Sequence, residues 1–407
     1  MVAIARWGAL PPFIVLFSAL YAAFGVSSPF MPAFIASRGI PPEQIGALLA
    51  AGTAVRLLAA PVAARIADRY HALRIVFAAC AVYAAIAALF YLPSVDFWAI
   101  LVVSLVHAAT LAPLTVVADA LALGAAVPRA GSAAKGFEYG FVRGAGSAAF
   151  IAGSILAGQV VGYSGLSVIV VLSAALLIVG ATCVFLVPEV IGKSSLAAAP
   201  IKGSADNVRT LLRLPVFRRL VLVAALILGS HAMHDSFAVI RWSAAGISPA
   251  AVSVLWSESV AAEVLVFFAI GPPLVRWLTP GGAMTLAAAA GAVRWAVMAQ
   301  SADVAALALV QPLHGLTFAL FHLAAMRVIA GVVPRDLAAT AQAIYATLGA
   351  GAASVVLTLA SGALYGRAGA EGFWAMALLC ALALPIAWGL RLPAPSDPPV
   401  TVGTTAS

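Results

Sequence analysis

Residues 97–121 read FWAILVVSLVHAATLAPLTVVADAL, twenty-five positions whose one formal charge is Asp119. About 20 apolar residues suffice for a helix to cross roughly 30 Å of hydrocarbon, so this stretch is long enough to span a membrane. A backbone in lipid must satisfy its hydrogen bonds internally, which makes each such stretch a helix. Similar stretches lie at 11–35, 43–64, 72–92, 134–158, 166–187, 219–241, 249–272, 282–300, 303–330, 337–364 and 371–391, giving twelve expected spans in an all-α membrane protein.

The composition agrees. The chain is 64% hydrophobic and 9% charged, against roughly 25% charged residues in a soluble domain, too few to cover a water-facing surface. Cys80, Cys183 and Cys380 each sit in an apolar stretch without metal-ligand spacing, so neither a disulfide framework nor a metal site is expected. The first apolar run is too long for a signal-peptide core and reads as a retained span.

A net charge of +8 raises the question of a nucleic-acid partner. With both termini in the cytoplasm, 15 of the 22 Lys and Arg lie on that side. Three (Arg38, Arg241, Arg367) then lie on the other, and four (Arg56, Arg143, Arg294, Arg327) within spans. This is the positive-inside asymmetry, so the basic residues report topology in a cell inner membrane and no nucleic-acid partner is expected.

Compared with itself at an offset of 207, the chain matches without gaps: Gly39, Ile40 and Pro42 meet Gly246, Ile247 and Pro249. Arg69, Ser94, Asp96, His107 and Thr110 meet Arg276, Ser301, Asp303, His314 and Thr317, and Gly144, Gly162 and Gly165 meet Gly351, Gly369 and Gly372. The expected organisation is a six-helix bundle (1–187), a polar and basic cytoplasmic linker (188–217), a second six-helix bundle (218–392) and a disordered tail (393–407). Two six-helix halves related by duplication resemble the major facilitator superfamily, whose substrate site lies between the halves near the midplane. Asp68 and Arg69, followed by Arg74, resemble that superfamily's gating motif, although Ala64 stands where the motif has Gly.

A charge in hydrocarbon costs about 2.5 to 3.5 kcal/mol, so ionisable residues inside spans are candidates for function. Glu138 and Arg143 on the fifth span lie roughly 140° apart and are expected to pair across helices. His231, His234 and Asp235 share one face of the seventh span, either as a packing cluster or as a site. Arg143 and Arg294 suit a carboxylate ligand, or the neutralisation of a nearby acid, because guanidinium is a planar fork that does not deprotonate. Glu263, Glu258, His314 and Asp235 are the groups able to carry a coupled proton. Asp119, Arg56 and Arg327 lie closer to cytoplasmic ends and are expected as gate or snorkelling residues rather than ligands, Asp119 joining Asp68 and Arg69 among the gating residues. Position 263 matches Arg56 at the 207 offset, so a pair between these two is conceivable. Trp256, Trp295 and Phe318 are expected to shape an apolar pocket, or simply to pack. Trp242 and Phe321 are further aromatics of this kind.

Pro113-Leu114-Thr115, Asp119-Ala120-Leu121, Tyr139-Gly140, Val142-Arg143, residues 291–295 (GAVRW) and residues 322–327 (HLAAMR) resemble the phenylpropionate permease family of the major facilitator superfamily. That resemblance implies proton-linked uptake of a small aromatic or other organic carboxylate by alternating access. Glu263, Arg294 and His314 are also similar in placement to the lactose permease group, but Thr317 stands where that group has Glu. Sugar or nucleoside symport and metabolite efflux are the alternatives. No nucleophile with a matching base is apparent, so an enzyme is not expected, nor is a cofactor. The expected partners are a small-molecule substrate, protons and the lipid bilayer, and the expected state is a monomer.

Overall fold

The computed structural model describes residues 9–126, 136–188 and 205–390. Most of the expected linker and all of the expected tail lie outside this range. Among the described residues every regular element is helical. Helices α1 (Leu10–Ser27) and α2 (Met31–Ala36) form the first crossing. They are followed by α3 (Pro42–Tyr70), α4 (Leu73–Phe90), α5 (Phe97–Ala126), α6 (Tyr139–Ser164) and α7 (Val168–Cys183). A short helix α8 (Ala205–Arg213) stands where only linker was expected, and its buried Leu211 joins the core beneath it.

The second half continues with α9 (Pro215–Gly229), α10 (Ala232–Ala244), α11 (Pro249–Leu265), α12 (Gly271–Gln300), α13 (Val304–Val310), α14 (Phe321–Val332), α15 (Ala338–Ile344), α16 (Ala353–Ala368) and α17 (Phe373–Trp388). Among the described residues ten stretches are long and apolar enough to cross a membrane, and two of them, Pro249–Gln300 and Arg335–Trp388, run to 52 and 54 residues. Each long stretch is broken inside, at Thr279 (φ 64°) before Pro280 and at the turn Gly369–Gly372, and so holds two crossings. The twelve expected spans are therefore present. Several outlast their sequence limits: α3 continues six residues past 64, to Tyr70.

The duplication is visible in matched local geometry. Gly39 and Gly246 both take a left-handed conformation, φ 78° and 83°, which an L side chain would strain. Each is followed three residues later by a proline that opens a helix, Pro42 of α3 and Pro249 of α11. Asp96 and Asp303 each accept a 3.0 Å bond from the third amide downstream, Ala99 and Ala306, and so start the fourth and tenth crossings alike.

The halves meet along α3 against α16 and α6 against α11, two contacts that exchange under the 207 offset. Small residues allow close approach. A methyl group on Gly46 would lie 2.7 Å from Gly362 Cα, and one on Gly158 would lie 2.6 Å from Pro249 O. Both crossings lie at the end carrying the Gly39 and Gly246 turns, termed the turn end; the opposite end carries α8 and the 71–72 turn. One apolar core runs from the first half into Phe237, Trp242 and Phe373 at the turn end, whereas Phe217, Phe321 and Tyr345 at the other end form a separate core. The turn end is the sealed one. Replacing Gly46 by Leu is expected to prevent that seal. A single cysteine at position 43 should then react several-fold faster with an impermeant thiol reagent, and an unchanged rate would contradict the packing.

Candidate functional site

Two irregular turns place the central polar residues. Glu263 lies near the end of α11, directly before the π turn Val266–Ile270, and His314 lies directly before the π turn Leu316–Leu320. A π turn rotates the helix face that follows it and commonly marks functional positions.

Arg294 of α12 is wholly buried beside these turns. Its Nε and Nη2 donate to Gln311 Oε1 at 3.2 and 2.9 Å. Its Nη1 meets His314 Nδ1 at 3.1 Å, and its Nη2 meets His234 Nε2 at 3.3 Å. The guanidinium also lies 4.6 Å from the centre of a Trp295 ring. Arginine only donates, so both histidine nitrogens facing it accept. The remaining N–H of each neutral ring then points the other way. His234 Nδ1 stands 3.1 Å from Asp235 Oδ1, and His314 Nε2 stands 3.4 Å from Glu263 Oε2. The result is a chain of carboxylate, histidine, arginine, histidine and carboxylate with the buried charge at its centre and no carboxylate touching it. The two acids are the exposed ends, Asp235 at 61% and Glu263 at 30% of side-chain surface.

The aromatic residues divide. Trp256 stacks on His234 at 4.9 Å and Phe318 stacks on His314 at 5.6 Å with 41% of its surface open, as a pocket wall requires. Trp295 is fully buried and donates to Ser230 Oγ at 2.8 Å, so it supports Arg294 from behind and does not line open space. Trp242 and Phe321 are core residues.

A second cluster belongs to the first half. Arg143 of α6 donates to the Tyr21 hydroxyl and stands 3.5 Å from Asp119 Oδ1, which also accepts a 2.6 Å bond from Tyr139. Gly146, one turn along α6, leaves room for the Tyr21 ring. Arg143 is 41% open, and its charge acts on Glu263 across the contact of α6 with α11. Glu138 is exposed and precedes the first turn of α6, so the expected cross-helix partner of Arg143 is Asp119 and not an acid on the second half.

Other expectations are redirected. Asp68 and Arg69 end α3, and Asp119 of α5 is held by Arg143 and Tyr139. Arg56 and Glu263 form no pair, because Glu263 turns to His314. Glu258 has no hydrogen-bonding or ionic partner among the described residues and stands apart from the Arg294 chain. Arg294 was expected to meet a ligand directly; four of its five N–H donors face Gln311, His314 and His234.

Gln311, Tyr21, Tyr139 and Ser230 were not singled out from sequence. Gln311 offers one signal, an amide inside an otherwise apolar span. Thr317, at the position where an acid was missing, meets His231 Nε2 at 3.0 Å, and His231 Nδ1 meets Ile227 O at 3.1 Å. A carbonyl only accepts, so His231 keeps its proton on Nδ1 and Thr317 donates to Nε2. Among the described residues no group of three or more His, Cys, Asp or Glu could hold a metal ion.

Arg294 and the side chains that hold it all belong to the second half, with the two acids at the exposed ends of the chain. The chain is 32% identical over 386 residues to the probable 3-phenylpropionic acid transporter of Escherichia coli strain K12, covering 92% of this chain and 94% of that one. The crystal structure of the nucleoside transporter NupG is similar over 93% of this chain and 97% of its own, with 16% identity and a TM-score of 0.74. That of a bacterial homologue of the human lysosomal transporter Spinster, inward-facing and unoccupied, covers 95% and 97% with 14% identity and a TM-score of 0.71. These last two likenesses show the fold. A profile of the MFS_1 like family matches residues 13–376, and the chain is accordingly a multi-pass membrane transporter, not an enzyme, and belongs to that family within the major facilitator superfamily.

Proposed function

We propose that the protein takes a small aromatic or other organic carboxylate into the cell together with a proton, by alternating access. The observation that carries this reading is the buried Arg294, whose charge no carboxylate touches directly. A buried cation balanced only through two histidines leaves a positive potential at the cavity wall, which favours an anionic ligand. Arg143 adds to it from the opposite half. The name of the Escherichia coli relative points to the same substrate class.

Glu263 takes the proton in this reading, with Asp235 and Glu258 as the other candidate acids. His314 is a poor carrier while Arg294 holds it, because protonating Nδ1 would set two donors and two positive charges face to face. Asp68 and Arg69 gate the end opposite the seal. With the basic loops in the cytoplasm of an inner membrane and the turn end outside, the sealed state opens inward and both termini are cytoplasmic. The carrier works as a monomer.

Ligand binding to the purified protein, followed by tryptophan fluorescence, tests the substrate class, since Trp256 lies on His234. Added 3-phenylpropionate is expected to change the signal saturably, while its uncharged amide and uridine do not. Saturable binding of uridine alone would replace the organic-acid reading with a nucleoside one.

A further inference from the structure

The 207 offset that pairs His107 with His314 also pairs Arg56 with Glu263. In the second half the pair is visible as Glu263 on His314. In the first half Arg56 of α3 and His107 of α5 occupy the equivalent helices, which pack together, and the Arg56 charge acts on His107 and Tyr91. The duplicated site is thus present twice with its sign inverted, an acid in one half and a guanidinium in the other.

The two copies differ in how they are satisfied. His314 is engaged on both ring nitrogens. Neither Arg56 nor the ring of His107 has a hydrogen-bonding or ionic partner among the described residues. The surroundings are nevertheless built. Tyr91 is buried, donates to Ser104 Oγ at 3.0 Å and sets its ring edge-on to His107 at 5.8 Å. His107 and Ser104 are both only 8% exposed, while the Arg56 side chain is open. Arg56 is thus an exposed guanidinium on a membrane-spanning helix with no hydrogen-bonding or ionic partner among the described residues, and an ionisable residue inside a span marks a functional position by default. Arg294 and Arg143, by contrast, are engaged, Arg294 by Gln311 and the histidines and Arg143 by Asp119 and Tyr21.

We propose that Arg56 and His107 form an anion subsite that receives the carboxylate of the transported acid, with the rest of the molecule directed toward the second half. This rests on the organic-acid reading and names the group that holds its charge. It also supplies a reason for coupling. A carboxylate on Arg56 and a proton on Glu263 neutralise the two inverted members of the duplicated pair together. Moving either charge bare through the closed state is costly, so the doubly loaded carrier is the one that reorients.

Calorimetric binding of 3-phenylpropionate and of 3-phenylpropionamide to the purified full chain tests this, using wild type, Arg56→Gln and Arg56→Lys. The expected result is that wild type prefers the acid. Arg56→Gln should weaken the acid about 10- to 100-fold, the range for loss of charged hydrogen bonds, and leave the amide within twofold. Arg56→Lys, which keeps the charge but not the fork, should fall between them, and it carries the test if Arg56→Gln does not fold. Acid binding unchanged in both variants would overturn the subsite and leave the organic-acid reading standing. No preference for the acid in wild type would overturn that reading, and the subsite with it.

Discussion

Glu263→Gln is expected to abolish accumulation of substrate against its gradient while leaving exchange of labelled for unlabelled substrate intact. The glutamine keeps the shape and still accepts from His314 Nε2, which stands 3.4 Å from the native carboxylate, but it cannot bind or release a proton. A one-for-one proton and anion symporter converts one pH unit into about a tenfold concentration ratio, and the variant should bring that ratio to one. Counterflow in proteoliposomes separates the two functions. Accumulation at the wild-type ratio would move the proton to Asp235 or Glu258.

Arg294→Lys is the second large effect. The ammonium keeps the charge, but as a single point it cannot reproduce a fork that meets Gln311, His314 and His234 at once. Loss of two such bonds at about 1.5 kcal/mol each corresponds to a reduction of roughly 100-fold in uptake at low substrate. His314 would also lose the donor that fixes its proton on Nε2, so the pH profile of uptake should broaden or shift. Uptake within twofold of wild type, with the same profile, would mean that the chain of five side chains has no part in transport.

The architecture was legible in the sequence because the features that define it are rare against an Ala-rich background. Asp96 and Asp303, His107 and His314, and the Gly39 and Gly246 turns recur at one spacing, and the Asp pair proved to share a helix start and the Gly pair a backbone conformation. The identities of Glu263, His314, Asp235 and Arg294 as intramembrane groups were equally plain, since charge inside an apolar run needs no alignment to notice. Their partners were not. Helices that are apolar on nearly every side carry little periodicity to show which face turns inward, and the π turns after Glu263 and His314 rotate those faces again. Gln311 and Tyr21 therefore went unmarked, although both hold an arginine in place. The partners of Asp119 were hidden for a related reason, because its distance along α5 gave no hint that Tyr139 and Arg143 would reach it.

The most direct test of proton-coupled carboxylate uptake is accumulation of radiolabelled 3-phenylpropionate in right-side-out vesicles, with and without an imposed inward proton gradient. Saturable accumulation that appears with the gradient and collapses when it is dissipated is the predicted result. Absence of uptake in both conditions, or uptake indifferent to the gradient, would contradict it.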